Sequence, residues 1–350
     1  MSTFEVKVRR VIVVPHPDPE AHSIELAKVD EYFSVIVKGS LRTGDLAVYI
    51  PEQALVPDAL IEEMGLTGKL SGKAKNRVKA IRLRGQLSQG ICYRPAIWPA
   101  EWTEGTDVAE ALSITKWIPD IPIHMRGAIE PAPSGFRTYT DIESLQRYPE
   151  MFAGGQAVRL CEKLHGTCHI SGLVQGQPVV SSKGFAGRHM VLKEDAGNVY
   201  WRAATDLHLH DLLRAYLDQL GQIGQVDQTI LLFGEVLGVQ DLKYGYEGGK
   251  IGYRAFDLWL NGNFVDAAQF DAFLRLYDVP AAPVLYEGPF SWEVARQHAA
   301  GRSTIASHLR EGIVIRPLPH ELLTPAGDRM IAKLLSPDYL VRKGETTEFE

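Results

Sequence analysis

The chain has 350 residues, room for two domains of ordinary size, and its 45% apolar and 23% charged residues are the balance of a globular protein in water. No apolar run is long enough for a bilayer and Met1–Arg10 lacks the apolar core of a signal peptide, which excludes a helical membrane protein and a secreted one, and sets a cytoplasmic location as the expectation. Cys92, Cys161 and Cys168 form no CxxC pair, which excludes a disulfide scaffold and a zinc ribbon, while the net charge of −6 leaves nucleic-acid binding to a local patch.

The first third reads as all-β. Val6–Val14, Ser23–Val29, Tyr32–Val37 and Leu46–Ile50 are short runs rich in β-branched residues, separated by turn signals such as Pro15-His16-Pro17-Asp18-Pro19 and Thr43-Gly44-Asp45. Asn76–Leu83 alternates basic and apolar residues, and Gly85–Tyr93 returns toward a core strand. About five strands at this spacing point to a small barrel of the OB type. Between Gly65 and Gly90 there is no acidic residue, yet Lys73, Lys75, Arg77, Lys79, Arg82 and Arg84 are present, a stripe suited to nucleic-acid phosphates. Trp98–Arg137, rich in Pro, Trp and Gly, reads as a linker, with the domain boundary near residue 120, so that 1–120 and 121–350 form the two domains.

The second domain reads as α+β. Ala157–Leu164, His169–Leu173 and Pro178–Ser182 are expected to form one small sheet. Leu209, Leu213, Tyr216, Leu217 and Leu220 recur at helical spacing, as do Phe270, Phe273, Leu274 and Tyr277. Thr229–Val236, Gly252–Leu260, Glu311–Arg316 and Met330–Leu334 are further strands.

Several charged residues sit where burial is expected. Lys163 ends a strand before a Gly turn, a placement that can aim an amine into a cleft. Glu235 and Asp257 lie inside apolar strands, where a carboxylate is costly unless it is paired or holds a metal. Glu311 opens another such strand, and Lys333 lies within Met330–Leu334. Taken singly, each has a plain structural explanation. Their order along the chain is the informative feature.

In that order, Lys163-Leu164-His165-Gly166, Ser182-Lys183-Gly184, Phe233-Gly234-Glu235, Phe256-Asp257, Glu311-Gly312-Ile313-Val314-Ile315-Arg316 and Lys333 resemble the six signature motifs of the covalent nucleotidyltransferases, the superfamily of polynucleotide ligases and mRNA capping enzymes. The KxHGT form is similar to that of phage-type RNA ligases, whereas DNA ligases and capping enzymes use KxDG. Only residues 334–350 follow Lys333, too few for a barrel, so the OB-type segment precedes the lysine. This resembles the RNA ligase branch with an N-terminal OB domain, of the Deinococcus type.

The resemblance implies a fold and a set of roles. The fold is α+β, an OB-type β-barrel followed by an adenylyltransferase domain of antiparallel sheets flanked by helices. Lys163 would attack the α-phosphorus of ATP and carry AMP. Glu162, His165 and Gly166 would line the nucleotide, and Phe256 would stack on adenine. Glu235 would contact the ribose or a Mg²⁺ or Mn²⁺ ion, Glu311 would bind metal and orient the lysine, and Lys333 would contact the α-phosphate. Lys183, assisted by Arg188, would place the donor-strand phosphate. The substrate implied is a nicked RNA duplex or RNA/DNA hybrid, in RNA repair, with no membrane and no obligate protein partner. Two positions depart from the pattern, Cys168 where phage-type enzymes tend to have Asn and Ile331 where many relatives place a lysine. The alternatives are a DNA ligase or capping guanylyltransferase using the same lysine, and a non-catalytic OB-fold RNA-binding protein.

Overall fold

The computed structural model describes residues 3–118, 125–221, 228–324 and 327–342. The boundary expected between residues 120 and 121 lies outside them. Among the described residues no helix is long and apolar enough to cross a membrane.

The N-terminal apolar run does not stay a single strand. It divides at the fully buried Val11 into Lys7–Arg10 and Ile12–Pro15. The first half pairs with Leu46–Ile50, which also pairs with Ile91–Tyr93. The second half pairs with Ile24–Val29, which continues to Tyr32–Val37. One bent segment thus serves two three-stranded sheets, and Val8, Val48, Ile50 and Val78 fill the core beside the first. Trp102, Val108 and Ile114 enter the same core, so much of the expected linker belongs to the OB-type domain. In the basic segment only Ile81–Leu83 is a strand, paired with Gln86–Ser88 around Gly85. The alternation fails there because Val78 and Ala80 are buried, whereas Ile81 and Leu83 stand in solvent on a projecting hairpin.

The C-terminal part holds two five-stranded sheets. One has the order Glu143–Ser144, Ala332–Leu335, Gly312–Pro317, Ala157–Lys163, Val284–Pro289. The other has the order Gln177–Ser182, Thr167–Val174, Thr229–Leu237, Gly252–Leu260, Asn263–Phe264. The three strands expected in one small sheet are therefore split: Ala157–Lys163 lies in the first sheet, and the two that follow lie in the second. These strands are buried on both faces, so their apolar pattern carries no signal for which neighbour each takes. The turn from Lys163 to Thr167 crosses between the sheets and places the lysine at the mouth of the cleft they form.

Helices cover the outer faces. Val199–Asp206, Leu209–Gln219 and Ala267–Tyr277 bury Trp201, Leu213, Leu217, Phe270 and Phe273 against the second sheet. Trp292–Ala299 packs Ala295 and Ala299 against the first. Their starts are fixed chemically: Asn198, Asp266 and Ser291 each accept a hydrogen bond from a first-turn N–H. The OB-type domain rests on the Glu143–Ser144 edge. Tyr32 Oη donates to Ser144 Oγ at 2.7 Å, Gln146 donates to the Glu31 carbonyl at 3.0 Å, and Arg296 and Arg82 pair with Glu31 and Asp338 at 2.9 and 2.6 Å.

Candidate nucleotide-binding and active site

Strand register sets the site. Lys163 faces Gly312, Cys161 faces Val314, and Val314 faces Lys333, so these side chains share one face of the first sheet. A cavity of about 110 Å³ opens on that face, lined by Lys163, Cys161, Val314, Arg316, Tyr139, Lys183, Glu235 and Phe256 among others. The sequence-derived residues Lys163, Lys183, Glu235 and Phe256 thus meet, from two sheets.

Each is aimed by its local backbone. Phe233 pairs with Asp257 and Gly234 with Ala255, which makes Phe256 the extra residue of a β-bulge. The bulge turns the Phe256 ring into the cavity, where Tyr139 meets it edge-on with centroids 5.0 Å apart. Asp257, next in line, is fully buried. Its carboxylate takes Arg316 at 3.1 Å, Arg329 at 2.5 Å and the Tyr139 hydroxyl at 2.8 Å. Burial pushes its carboxyl up, but Arg329 and Arg316 outweigh this and hold it below the usual range.

Lys163 Nζ donates to Glu311 Oε1, and Glu311 is 1% exposed, directly behind the amine. Burial alone would raise the Glu311 carboxyl; Lys163 and His165 instead hold it at about 2. Burial raises the Glu235 carboxyl to about 8 against the pull of Lys163. Lys183 Nζ donates to the Thr140 carbonyl at 3.2 Å and pairs with Asp141 at 3.1 Å, while burial lowers its ammonium from the ordinary value.

The turn after Lys163 is tightly built. A Cβ on Gly166 would lie 2.2 Å from the Val236 carbonyl oxygen, so no other residue fits without moving a strand. His165 is buried beneath the turn, with Nε2 2.5 Å from Asp241 and Nδ1 2.8 Å from the Tyr339 hydroxyl. Burial would lower its imidazole, yet the nearby Asp241 and Glu311 carboxylates raise it above the ordinary value.

Other expected residues are held differently. Glu162 also borders the Lys163 cavity, but its carboxylate is held by Thr304 N and Oγ1, from which it accepts at 2.8 and 2.7 Å. Strand alternation is the reason, since Cys161 and Lys163 already face the cavity. Lys333 shares the cleft face but borders a second cavity, about 120 Å³, facing Tyr32, Tyr49, Glu52 and Lys79 of the OB-type domain, with Arg147 beside it. Arg188 is exposed in the turn after Lys183–Ala186. In the basic stripe Lys73 and Lys75 are exposed, Arg82 and Arg84 pair with Asp338 and Asp18, and Lys79 borders the second cavity. Arg77 is not a surface cation. It is 9% exposed and its guanidinium lies 4.1 Å over the Trp117 ring. Of the departures, Cys168 lines the Lys163 cavity, and Ile331 is buried in the core.

Comparison with known proteins bears on this arrangement. The model of the RNA ligase family matches residues 156–335, and an OB-fold domain model matches residues 6–95. The chain belongs to the RNA ligase family. No curated protein matches it in sequence. Among solved structures, the RNA ligase of Naegleria gruberi is similar in fold. A variant of it with ATP and Mn gives a TM-score of 0.80 at 24% identity, covering 96% of this chain and 98% of that one. The same enzyme with PPi gives 0.79 at 24% identity, covering 97% and 98%, and a variant with AMP and Mn gives 0.77 at 24%, covering 96% and 97%. The matched region of this RNA ligase contains the whole Lys163 cavity except Tyr139 and Ile142, which come from the segment before it. Sequence reasoning missed those two, and also Asp241, Tyr244 and Tyr339. A loop aspartate and two tyrosines carry no spacing signal, and only the fold brings them under the turn.

Proposed function

We propose that this RNA ligase is ATP-dependent and joins a 3′-hydroxyl to a 5′-phosphate through a covalent Lys163–AMP, at nicks in RNA-containing duplexes. The supporting observation is that the Lys163 amine, backed by Glu311, enters the cavity that Phe256, Glu235 and Lys183 line.

The neutral Lys163 amine attacks the α-phosphorus of ATP; a P–N bond forms and pyrophosphate leaves. A 5′-phosphate oxygen then attacks the same phosphorus, the P–N bond breaks, and the lysine is regained. Finally a 3′-hydroxyl displaces AMP. Phosphoryl transfer of this kind rests on in-line placement and charge neutralisation. Phe256 stacks the adenine, Glu311 fixes the amine, and Lys183 faces the phosphates, while Lys333 adds positive charge on the same sheet face from the border of the second cavity. Among the described residues no group of three metal-ligating side chains forms. Two carboxylates, Glu235 and Glu311, with Glu311 Oε2 buried and lacking a hydrogen-bond partner, suit a Mg²⁺ or Mn²⁺ ion that arrives with nucleotide phosphates. Such an ion supplies neutralisation of the charge growing on the α-phosphate. Lys73 and Lys75 contact the duplex backbone.

Incubation with α-labelled ATP and a divalent metal, followed by denaturation, reads the first step. Label on wild type and none on Lys163→Ala is expected; label on Lys163→Ala would show that the nucleophile is another residue. Nicks with RNA or DNA on each side read the strand preference, and equal rates on all-DNA nicks would overturn the RNA reading.

A further inference from the structure

We propose that Asp241 and Tyr339 are positioning residues for the Lys163 nucleophile, acting through the orientation of the His165 ring. The proposal rests on the reading of Lys163 as the adenylylated residue. His165 is 2% exposed, and both its ring nitrogens are engaged by residues from separate segments: Asp241 from the loop after Thr229–Leu237, and Tyr339 from the helix Pro337–Leu340. The loop grips the turn twice more. Tyr244 Oη accepts from the His165 backbone N–H at 2.9 Å, and Gln240 donates to the Gly166 carbonyl at 2.7 Å. Arg342 closes the ring of contacts, with its guanidinium 3.7 Å over the Tyr339 ring and 3.2 Å from Asp241.

The link to chemistry runs through Glu311. One of its oxygens holds the Lys163 amine, and the other lies 3.6 Å from His165 Nδ1. The ring therefore forms one wall of the space in which the Glu311 carboxylate can rotate. A ring free to turn would let Glu311, and the amine it holds, leave the line of attack. Misplacement of a reacting group on the ångström scale costs rate without loosening substrate binding. None of these residues lines the nucleotide cavity, so the ATP contacts stay intact when they change.

The three steps of sealing make the test selective. Lys163 reacts in adenylylation but not in closure of a nick whose 5′ end already carries AMP. The test uses Asp241→Asn and Tyr339→Phe in the full chain. Each is expected to lower the rate of label transfer from saturating α-labelled ATP by about tenfold or more, with KM for ATP within about twofold. Sealing of a pre-adenylylated RNA nick should stay within about twofold of wild type. Rates of labelling and closure that fall together, or labelling that does not fall, would overturn the proposal. If Asp241→Asn does not fold, Tyr339→Phe, which removes a single oxygen, carries the test. Failure of wild type to label at Lys163 would instead overturn the underlying assignment of the nucleophile, so the two failures are distinguishable.

Discussion

Gly166 and Asp257 show how single residues hold the cleft in shape. The backbone of Gly166 lies so close to Val236 that a methyl group would displace the strand Thr229–Leu237, which also carries Glu235. Gly166→Ala is expected to cost roughly 1–3 kcal/mol, as overpacking does, and to reduce adduct formation. Thermal unfolding and α-labelled ATP measure the two effects, and an unchanged melting temperature would refute the steric account. Asp257 sits between two arginines and is fully buried. Asp257→Asn leaves Arg316 and Arg329 short of a counter-charge, and urea unfolding should show a loss of about 3–5 kcal/mol. Asp257 and Glu235 looked alike in sequence, as carboxylates in apolar strands. Their surroundings separate them: Asp257 has its cations within the fold, whereas Glu235, with Lys163 nearby, faces the cavity.

At the level of elements, the strand Thr167–Val174 and the helix Val199–Asp206 meet through His169. The ring is fully buried, with Nε2 donating to the Tyr200 carbonyl at 3.0 Å and Nδ1 without a hydrogen-bond partner. Burial therefore holds its imidazole down at about 3. Above pH 6.5 the side chain is neutral in both folded and unfolded chains and has no linkage effect. Between pH 6.5 and about 3 the unfolded chain binds a proton that the folded one refuses, so stability falls as the pH falls. The loss is about 1.4 kcal/mol per pH unit from this group. Urea midpoints at pH 7.5 and 5.0 should converge in His169→Gln relative to wild type, and an identical pH dependence in the two proteins would contradict this assignment. Element types were legible where one face was polar, as in Leu209–Gln219, or where a strand was bounded by turn residues, as in Tyr32–Val37. The short helices Val199–Asp206 and Trp292–Ala299 were not, because two turns carry too few repeats to establish a period.

On the scale of the whole molecule, the OB-type domain leans on the edge of the first sheet and forms the second wall around Lys333. Its exposed cations are fewer than the basic stripe implied. Arg77 serves the domain core, and Arg82 and Arg84 are paired, which leaves Lys73 and Lys75 exposed on the loop beside them. Each backbone phosphate contact contributes about one counterion to the salt dependence of binding. Lys73→Ala with Lys75→Ala should therefore reduce the slope of log K against log salt by up to about two on a nicked duplex, while adenylylation from ATP stays at the wild-type rate. A slope unchanged within error would remove these lysines from the interface.

The sequence by itself determined the motif order, the candidate nucleophile Lys163, the placement of an OB-type segment before it, and most of the strands. These are properties of local pattern: a strand's apolar run, a Gly turn, a carboxylate where none belongs. Only the tertiary structure decided which sheet each strand joins, that Thr304 holds the Glu162 carboxylate, that Lys333 faces the OB-type domain, and that Asp241 and Tyr339 close on His165. Those outcomes depend on which buried surfaces meet. Strands apolar on both faces accept more than one neighbour, and a loop aspartate or a buried tyrosine has no partner until the chain around it has packed.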